Sequence, residues 1–365
     1  MNGGTTNPTP PPWPDGSRSN TRARPVRRTG GRTADEIFDA GGRLIDPAVR
    51  KVAERLPPPL LDAVRYHYGW AGKDGGRVVG EPGGVGRRGL VLPLLCAGVD
   101  GGPVERGLAA TVVGDLLLNA SVIHDDVLDR DPVRRGRPAL WAAYGTECAL
   151  MVGDALTGLA FSLLGEQDHP RTRQALRTMS DGWSHLCAGQ VRDTGQEGQI
   201  RTSPEQAVAV NEAKTARSLR GVFCLPVLLT DATSEQVAAV GRYGFHFGMA
   251  AQYHNDLTDV WPTLDRGRAS GGDIRRRKMT PMVTVALASG HRDSELLAAF
   301  YGGRGEVGEE EVAAVAGLID RCGGRAWAVA RNLEHMRLAA EHLREADPPP
   351  ALHDDVLATG ARYLA

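Results

Sequence analysis

The most informative stretch of the sequence is Ser121-Val-Ile-His-Asp-Asp-Val-Leu-Asp-Arg130. It closes an apolar segment, 108–118, whose composition and length are typical of a buried helix. On a helix Asp125 and Asp129 lie one turn apart on the same face, with Asp126 one position aside. Carboxylates at the end of an apolar helix are costly to bury unless a cation neutralises them. Oxygen ligands favour a hard cation such as Mg2+, which often binds through one or two carboxylates and substrate phosphates.

Two adjacent arginines, Arg134 and Arg135, follow the acidic stretch. Guanidinium groups bind phosphate oxygens well, so this arrangement suits a polyanionic substrate. A solvated acidic helix end followed by a basic loop would explain this stretch equally well on its own.

A second acidic stretch makes the substrate-binding interpretation the stronger one. In residues 248–259 the side chains of Gln252, Asp256 and Asp259 recur at i, i+4 and i+7, on one helix face. Two such helix ends facing each other across a bundle would hold a metal-bound diphosphate between them.

Further motifs stand in order along the chain: Gly189-Gln190-x-x-Asp193, Lys214-Thr215, and Asp273 followed by Lys278-x-Thr280-Pro281. With the two acidic stretches, they resemble the trans-isoprenyl diphosphate synthase (polyprenyl synthetase) family over about residues 64–290. The resemblance implies an all-α fold, an isoprenoid-synthase-type helical bundle around a central cavity. It also implies Mg2+ as cofactor, an allylic prenyl diphosphate as substrate, and a homodimer.

The resemblance assigns roles to individual residues. The implied metal ligands are Asp125, Asp126, Asp129, Asn255, Asp256 and Asp259, where Asn255 replaces the usual aspartate. The implied substrate-binding residues are Arg88, Ser121, Arg134, Arg135, Gln190 and Arg268. The implied catalytic residues are Lys214, Thr215, Gln252 and Lys278. Only four of the 43 basic residues are lysines, and two of them fall at these positions, which suggests a local need for an ammonium group.

The acceptor half of the implied site departs from the family pattern. Relatives bind isopentenyl diphosphate with a Gly-Lys-x-x-Arg-Pro motif and with a histidine seven residues before the first aspartate. Here the lysine position is Val85, the proline position is Gly89 and the histidine position is Leu118, while Arg88 and Arg135 are kept. Each charge-assisted hydrogen bond contributes about 1.5–3 kcal/mol, so two losses would weaken acceptor binding by hundreds-fold or more.

Three functions follow from this pattern. The first is Mg2+-dependent ionisation of an allylic prenyl diphosphate, with the cation cyclised as in a terpene synthase or transferred to an acceptor other than isopentenyl diphosphate. The alternative is a chain-elongating, geranylgeranyl-type diphosphate synthase. The third is a non-catalytic partner subunit. Ala120 and Ser121 stand where relatives use bulky residues to limit chain length, so a deep pocket is expected.

Composition narrows the class of protein further. The net charge of −1 gives no global field for nucleic acid or membrane binding. No run approaches the roughly 18 apolar residues needed to span a bilayer, and the first thirty residues lack the apolar core of a secretory signal. Five scattered cysteines match no metal-binding spacing and are expected to be core thiols in a reducing cytoplasm.

The domain organisation is predicted to be simple. Residues 1–33 are rich in Pro, Gly and Arg and are predicted to be a disordered tail, because they cannot bury enough surface to fold. Residues 34–365 are predicted to form one all-α domain. A first helical segment, 34–56, is expected to break near Pro47 and to end before Pro57.

Overall fold

The computed structural model describes residues 31–76, 84–262 and 271–364, with the backbone alone for 84–88. Residues 1–30 of the predicted disordered tail, residues 77–83 and the side chains of 84–88 therefore lie outside the described residues. Of the predicted tail, Thr33 is described and caps the first helix. The first helix begins at Ala34, where the single domain was predicted to start.

The described chain is mainly helical, with one short hairpin as its sheet, which confirms the all-α prediction. Its α-helices are α1 Ala34–Ala53, α2 Pro58–His67, α3 Gly84–Cys96, α4 Leu108–Leu128, α5 Leu140–Tyr144, α6 Thr146–Gly165, α7 Thr172–Gly195, α8 Pro204–Asn211, α9 Arg217–Leu228, α10 Ser234–Val260, α11 Gly272–Arg275, α12 Pro281–Leu287, α13 Ser294–Tyr301, α14 Glu309–Arg321, α15 Gly324–Glu345 and α16 Pro350–Tyr363. A 3-10 helix, Val104–Gly107, precedes α4, and a π-helical turn, Glu212–Ala216, joins α8 to α9.

The two helices that carry the acidic stretches lie at the centre of the bundle. Helix α4 packs against α6, α1, α9 and α3, and α10 packs against α15 and α9. Most of α4 is apolar and buried, from Ala110 to Ile123. The acidic groups follow at its last turn, so the same helix supplies core packing and positions the site.

A short hairpin follows α4. Strands β1 (Val133–Arg134) and β2 (Arg137–Pro138) pair antiparallel. The two turn residues, Arg135 and Gly136, have φ of 55° and 71°, as a tight hairpin turn requires. This turn holds Arg135 beside α4, where its guanidinium group donates to Asn119 Oδ1.

The expected break at Pro47 is wrong, because α1 runs through it. Pro47 and Arg43, whose carbonyl loses its helical partner, are both on the solvent-exposed face of the helix. Water can bind the freed carbonyl there, so the interruption costs little. The expected stop before Pro57 is confirmed, and α2 begins one residue later.

Two segments are more apolar than the sequence criterion indicated. The segments Val104–Leu128 and Thr146–Gly165 are long and apolar enough to cross a membrane by length and composition. In the most apolar part of Val104–Leu128, 67% is buried within the bundle, against 44% for Thr146–Gly165. Core packing therefore accounts for most of the apolar surface of α4 and for less of that of α6.

Candidate active site

The first acidic stretch lies at the end of α4, as predicted. The carboxylate of Asp125 faces the central cavity, and Asp129 is the C-terminal cap of the helix. Both groups are bound by lysines: Lys214 Nζ lies 3.1 Å from Asp125 Oδ1, and Lys278 Nζ lies 2.7 Å from Asp129 Oδ2. The two lysines that the resemblance implied are thus brought to the two aspartates.

A third carboxylate links the two lysines. Asp193, on α7, lies 2.9 Å from Lys214 Nζ and 3.3 Å from Lys278 Nζ. Burial alone would raise the pKa of Asp125, but Lys214 and Lys278 outweigh it and the pKa is lowered. Asp129 differs, because burial and the charge of Asp125 raise its pKa.

Lys214 and Thr215 lie in the π-helical turn between α8 and α9. The backbone of this π-helical turn packs closely against the backbone of α7. A Cβ atom on Gly189 would lie only 2.4 Å from the Lys214 backbone nitrogen. Gly189 therefore has to be glycine, which explains the first residue of its motif. Gln190, the next residue, is buried with its side-chain nitrogen unpaired, and it lines the cavity.

Asp126 and Arg134 do not face the cavity as the metal and substrate assignments implied. Arg134 Nε lies 2.8 Å and 3.1 Å from the two carboxylate oxygens of Asp126, which is 2% exposed. The pair ties the hairpin to α4. Both assignments remain predictions, and this ion pair accounts for both residues.

The second acidic stretch ends α10 opposite the first. Gln252 and Asn255 line the same cavity as Asp125. Gln252 Nε2 donates to Asp256 Oδ1 at 2.7 Å, and Thr215 Oγ1 donates to Gln252 Oε1 at 2.7 Å. Burial, followed by the charge of Asp273, raises the pKa of Asp256 to about 7.

The last aspartate of this stretch, Asp259, binds the backbone of the segment that follows α10. Asp259 Oδ2 accepts the backbone N–H of Asp273 at 2.9 Å. Arg276 then binds Asp131 Oδ1 at 2.6 Å and Asp273 Oδ1 at 3.2 Å, which joins the two acidic helix ends. Arg268 falls within 263–270, outside the described residues.

A cavity of about 460 Å³ extends below these polar groups. Ser121 lines it, as the chain-length argument predicted, with its hydroxyl donating to the carbonyl of Leu118 at 2.8 Å. Apolar and aromatic side chains form the remaining wall, among them Leu90, Pro93, Leu118, Trp183, Leu186, Leu219, Val222, Phe223 and Phe247. Cys187 also lines the cavity and is exposed, so the expectation of core thiols is wrong for this cysteine. An apolar cavity beneath a charged rim suits a prenyl diphosphate.

The acceptor side contains a polar cluster next to the altered position. Leu118 lines the cavity. The Oδ1 atom of the next residue, Asn119, accepts a hydrogen bond from the Arg135 guanidinium group at 3.4 Å and lies 3.0 Å from His67 Nε2. Burial and the charge of Arg135 lower the pKa of His67 to about 3, so this imidazole is neutral. The side chains of Val85 and Arg88 lie outside the described residues.

Several site residues escaped the sequence-based assignment: Asp193, Arg276, Asp131, Asn211, His67 and Trp183. Asp193 could have been found, because it closes a motif already identified. Asp131 and Arg276 could also have been considered, because Asp131 follows Asp129 by two residues and Arg276 lies between Asp273 and Lys278. The other three carry no local signal, since only the packing of distant helices brings them to the site.

The donor set suits Mg2+. Asp125, Asp129 and Asp256 offer only oxygen atoms, and the Oδ1 atom of Asp129 is buried with no hydrogen-bond partner. Among the described residues no group of three or more His, Cys, Asp and Glu side chains is arranged to hold a metal alone.

The family profile described as polyprenyl synthetase matches residues 77–319. The chain belongs to the polyprenyl synthetase family. This polyprenyl synthetase is 34% identical over 330 residues to the (2E,6E)-farnesyl diphosphate synthase of Mycobacterium tuberculosis (strain ATCC 25618 / H37Rv), covering 89% of this chain and 88% of that protein. It is 32% identical over 282 residues to the geranylgeranyl diphosphate synthase of the same strain, covering 76% and 79% of the two chains.

A solved structure confirms the fold of this polyprenyl synthetase. It matches the crystal structure of a polyprenyl synthetase from Streptomyces coelicolor A3(2) with a TM-score of 0.82 and 31% identity, covering 91% of this chain and all of that one. The protein is therefore an isoprenoid diphosphate enzyme of the prenyltransferase type. The relatives support the chain-elongating alternative better than the cyclase-like function that the sequence analysis placed first.

Proposed function

We propose that this protein condenses an allylic prenyl diphosphate with isopentenyl diphosphate. The observation that carries the proposal is the Asp125–Lys214–Asp193–Lys278–Asp129 network at the rim of an apolar cavity. The relatives named as farnesyl and geranylgeranyl diphosphate synthases support the same reaction.

The reaction begins when the allylic C–O bond breaks and the diphosphate leaves with the electron pair. Lys214 and Lys278 would bind the departing diphosphate, because ammonium groups stabilise the charge that develops on it. Mg2+, when bound, would neutralise the same charge, and Asp125, Asp129 and Asp256 would hold it. The apolar cavity would exclude water from the cation until the double bond of the acceptor forms the new C–C bond. The positive charge then lies on the acceptor, and loss of a proton from the adjacent carbon to the released diphosphate would form the new double bond.

A cyclase-like or non-isopentenyl transferase activity is the second candidate. Leu118 favours it, because this residue lines the cavity where the family pattern has a histidine that binds the acceptor diphosphate. The remaining polar groups on that side include Arg135 and Asn119. They would have to suffice for isopentenyl diphosphate to bind.

One assay separates the two candidates. The purified protein is incubated with Mg2+ and geranyl, farnesyl or geranylgeranyl diphosphate, with and without isopentenyl diphosphate, and the products are identified by mass spectrometry. Elongated diphosphates support the proposed function. Diphosphate release with hydrocarbon or alcohol products and no consumption of isopentenyl diphosphate supports the second candidate, and Leu118→His with Val85→Lys should then restore elongation. Absence of any reaction would support a non-catalytic subunit.

We infer a cytoplasmic homodimer from the family resemblance. Helix α6 is strongly apolar, yet less than half of its most apolar part is buried within one chain. Two neighbouring apolar side chains on α6 are exposed, Leu150 at 38% and Met151 at 55%. A second copy of the chain covering this α6 surface would remove both side chains from water.

A further inference from the structure

The two adjacent arginines of the hairpin differ in how their charges are used. Arg134 is bound by the carboxylate of Asp126. Arg135 lines the cavity, and within the part of the chain that the structure describes its side chain makes one hydrogen bond, to Asn119 Oδ1, and no ion pair. A guanidinium group has five N–H donors, so most of those of Arg135 are left for an anion in the cavity.

The position of Arg135 along α4 separates it from the lysines of the site. Its partner Asn119 lies six residues before Asp125 on this helix (125 − 119 = 6), or about 9 Å along the helix axis. Lys214 binds Asp125 itself. An anion at Arg135 would therefore be a second one, distinct from a diphosphate that Lys214 binds.

The side-chain amide of Asn119 is held in one orientation by its own helix. Its Nδ2 group donates to the backbone carbonyl of Asp115 at 2.9 Å, so Oδ1 has to be the acceptor in its other two contacts. These contacts are with Arg135 and, at 3.0 Å, with His67 Nε2. His67 therefore carries its proton on Nε2 and donates it to Asn119. The imidazole thus fixes the oxygen atom that Arg135 binds.

A buried carboxylate offsets part of the cost of placing Arg135 here. Asp115 is fully buried, and its Oδ2 atom accepts a hydrogen bond from the Tyr68 hydroxyl at 2.6 Å. Burial lowers the pKa of Arg135, and the negative charge of Asp115 is the largest effect in the opposite direction. Arg135 keeps its charge, because a guanidinium group does not lose its proton in proteins.

We propose that Asn119 and His67 are positioning residues, which hold the Arg135 guanidinium group towards the cavity to bind the diphosphate of the acceptor. Leu118 cannot form such a hydrogen bond, and the polar side chain is supplied by the next residue of α4 instead. The proposal rests on the proposed function in naming isopentenyl diphosphate as the acceptor.

The test measures binding of isopentenyl diphosphate to the full chain by titration calorimetry. Mg2+ and a thiolodiphosphate analogue of geranyl diphosphate occupy the donor site, and the sulfur atom in place of the bridging oxygen keeps the donor from ionising. Asn119→Ala should weaken binding by about tenfold or more, because Arg135 loses its orientation. His67→Ala should weaken it by a smaller factor. His67→Gln should keep the wild-type affinity, since its amide N–H can replace the Nε2–H group.

Two controls separate positioning from a general loss of structure. The affinity for the donor analogue should be unchanged in all three variants. The Tyr66 hydroxyl donates to the carbonyl of Pro138 on strand β2 at 2.9 Å, so Tyr66→Phe loosens the same hairpin without altering Asn119. We expect Tyr66→Phe to bind isopentenyl diphosphate as the wild type does.

Three results would overturn the proposal. These are equal affinity for isopentenyl diphosphate in wild type and Asn119→Ala, binding by His67→Gln as weak as by His67→Ala, and wild-type binding no tighter than that of Arg135→Gln. None of these measurements needs turnover. A protein that binds in the expected pattern but forms no elongated product would therefore count against the proposed function alone.

Discussion

Asp193 is the residue on which both lysines of the site converge. Its Oδ2 atom lies within 3.3 Å of Lys214 Nζ and of Lys278 Nζ. Burial and, next, the charge of Lys214 act to lower the pKa of Lys278, but the surrounding carboxylates, Asp193 first among them, outweigh both and the pKa is raised. Asp193 therefore keeps both lysines charged and in place before a diphosphate arrives.

We expect Asp193→Asn to lower both stability and activity. Removing one partner of a largely buried ion pair costs roughly 3 kcal/mol, and the two ammonium groups would also lose their orientation. The free energy of unfolding and the rate of diphosphate release are measured, with the exposed Asp154→Asn on α6 as control. Wild-type values for both quantities in Asp193→Asn would show that the bridge has no role.

Unlike Asp193→Asn, a substitution of Asp256 should lower activity without lowering stability. Burial raises its pKa to about 7, so ionised Asp256 costs folding free energy above pH 7, and this cost disappears as the pH falls towards 4. Asp256→Asn should therefore keep or raise the Tm at pH 8 and should abolish Mg2+-dependent diphosphate release. Asp125→Ala should abolish release as well. Retained release in either variant, or full activity in excess chelator, would exclude these aspartates as metal ligands.

At the scale of helices, the sequence predicted the parts that depend on periodicity. The acidic groups do end α4 and α10, because spacing by one turn is visible in the sequence. The pairing of Asp126 with Arg134 was not predictable, since both residues also fit a family motif. The π-helical turn that carries Lys214 and the path of α1 through Pro47 depend on packing and solvent exposure, which periodicity does not report.

Helix α4 gives a direct test of cavity depth. Ser121 lies one turn before Asp125 and lines the cavity. Ser121→Phe should fill this region and shift donor preference from geranylgeranyl towards geranyl diphosphate, measured as the ratio of kcat/KM values. Ser121→Ala, which removes the hydroxyl without filling space, is the matched control and should leave the preference as it is. An unchanged ratio in Ser121→Phe would show that the hydrocarbon chain of the donor does not lie against Ser121.

The contact between α10 and α15 should make the fold sensitive to acid. His246 Nδ1 lies 2.9 Å from His335 Nδ1, and the His246 ring stacks on His342, which is bound by Arg242 and Glu345. Burial, followed by the charges of His335 and His342, lowers the pKa of His246 to about 4. The unfolded chain, with a histidine pKa of about 6.5, binds this proton first.

The contribution of this contact to the free energy of unfolding should therefore be fully present above about pH 6.5 and should be lost as the pH falls towards 4. We expect the Tm to fall over this range, and we expect His246→Gln to reduce the slope of Tm against pH. His185→Gln, at an exposed position on α7, is the control. Equal slopes in wild type and His246→Gln would assign the acid sensitivity to other groups.

At the scale of the whole molecule, the exposed apolar surface of α6 predicts the oligomeric state. Met151→Arg should place a charge in the proposed α6 contact between two chains and convert a dimer to a monomer, measured by light scattering after size exclusion. Leu333→Arg, at an equally exposed position on α15, should leave the mass unchanged. A monomeric wild-type protein would disprove the proposed homodimer.

The π-helical turn at Glu212–Ala216 has a consequence for insertions and deletions. A turn of this kind contains one residue more than a regular helix needs. Deleting that residue would join α8 and α9 into one regular helix, but it would rotate each against the other by about 100°. Lys214 would then point away from Asp193, although no side chain of the site had been replaced. The length of this segment is therefore as much a part of the site as the identity of its lysine.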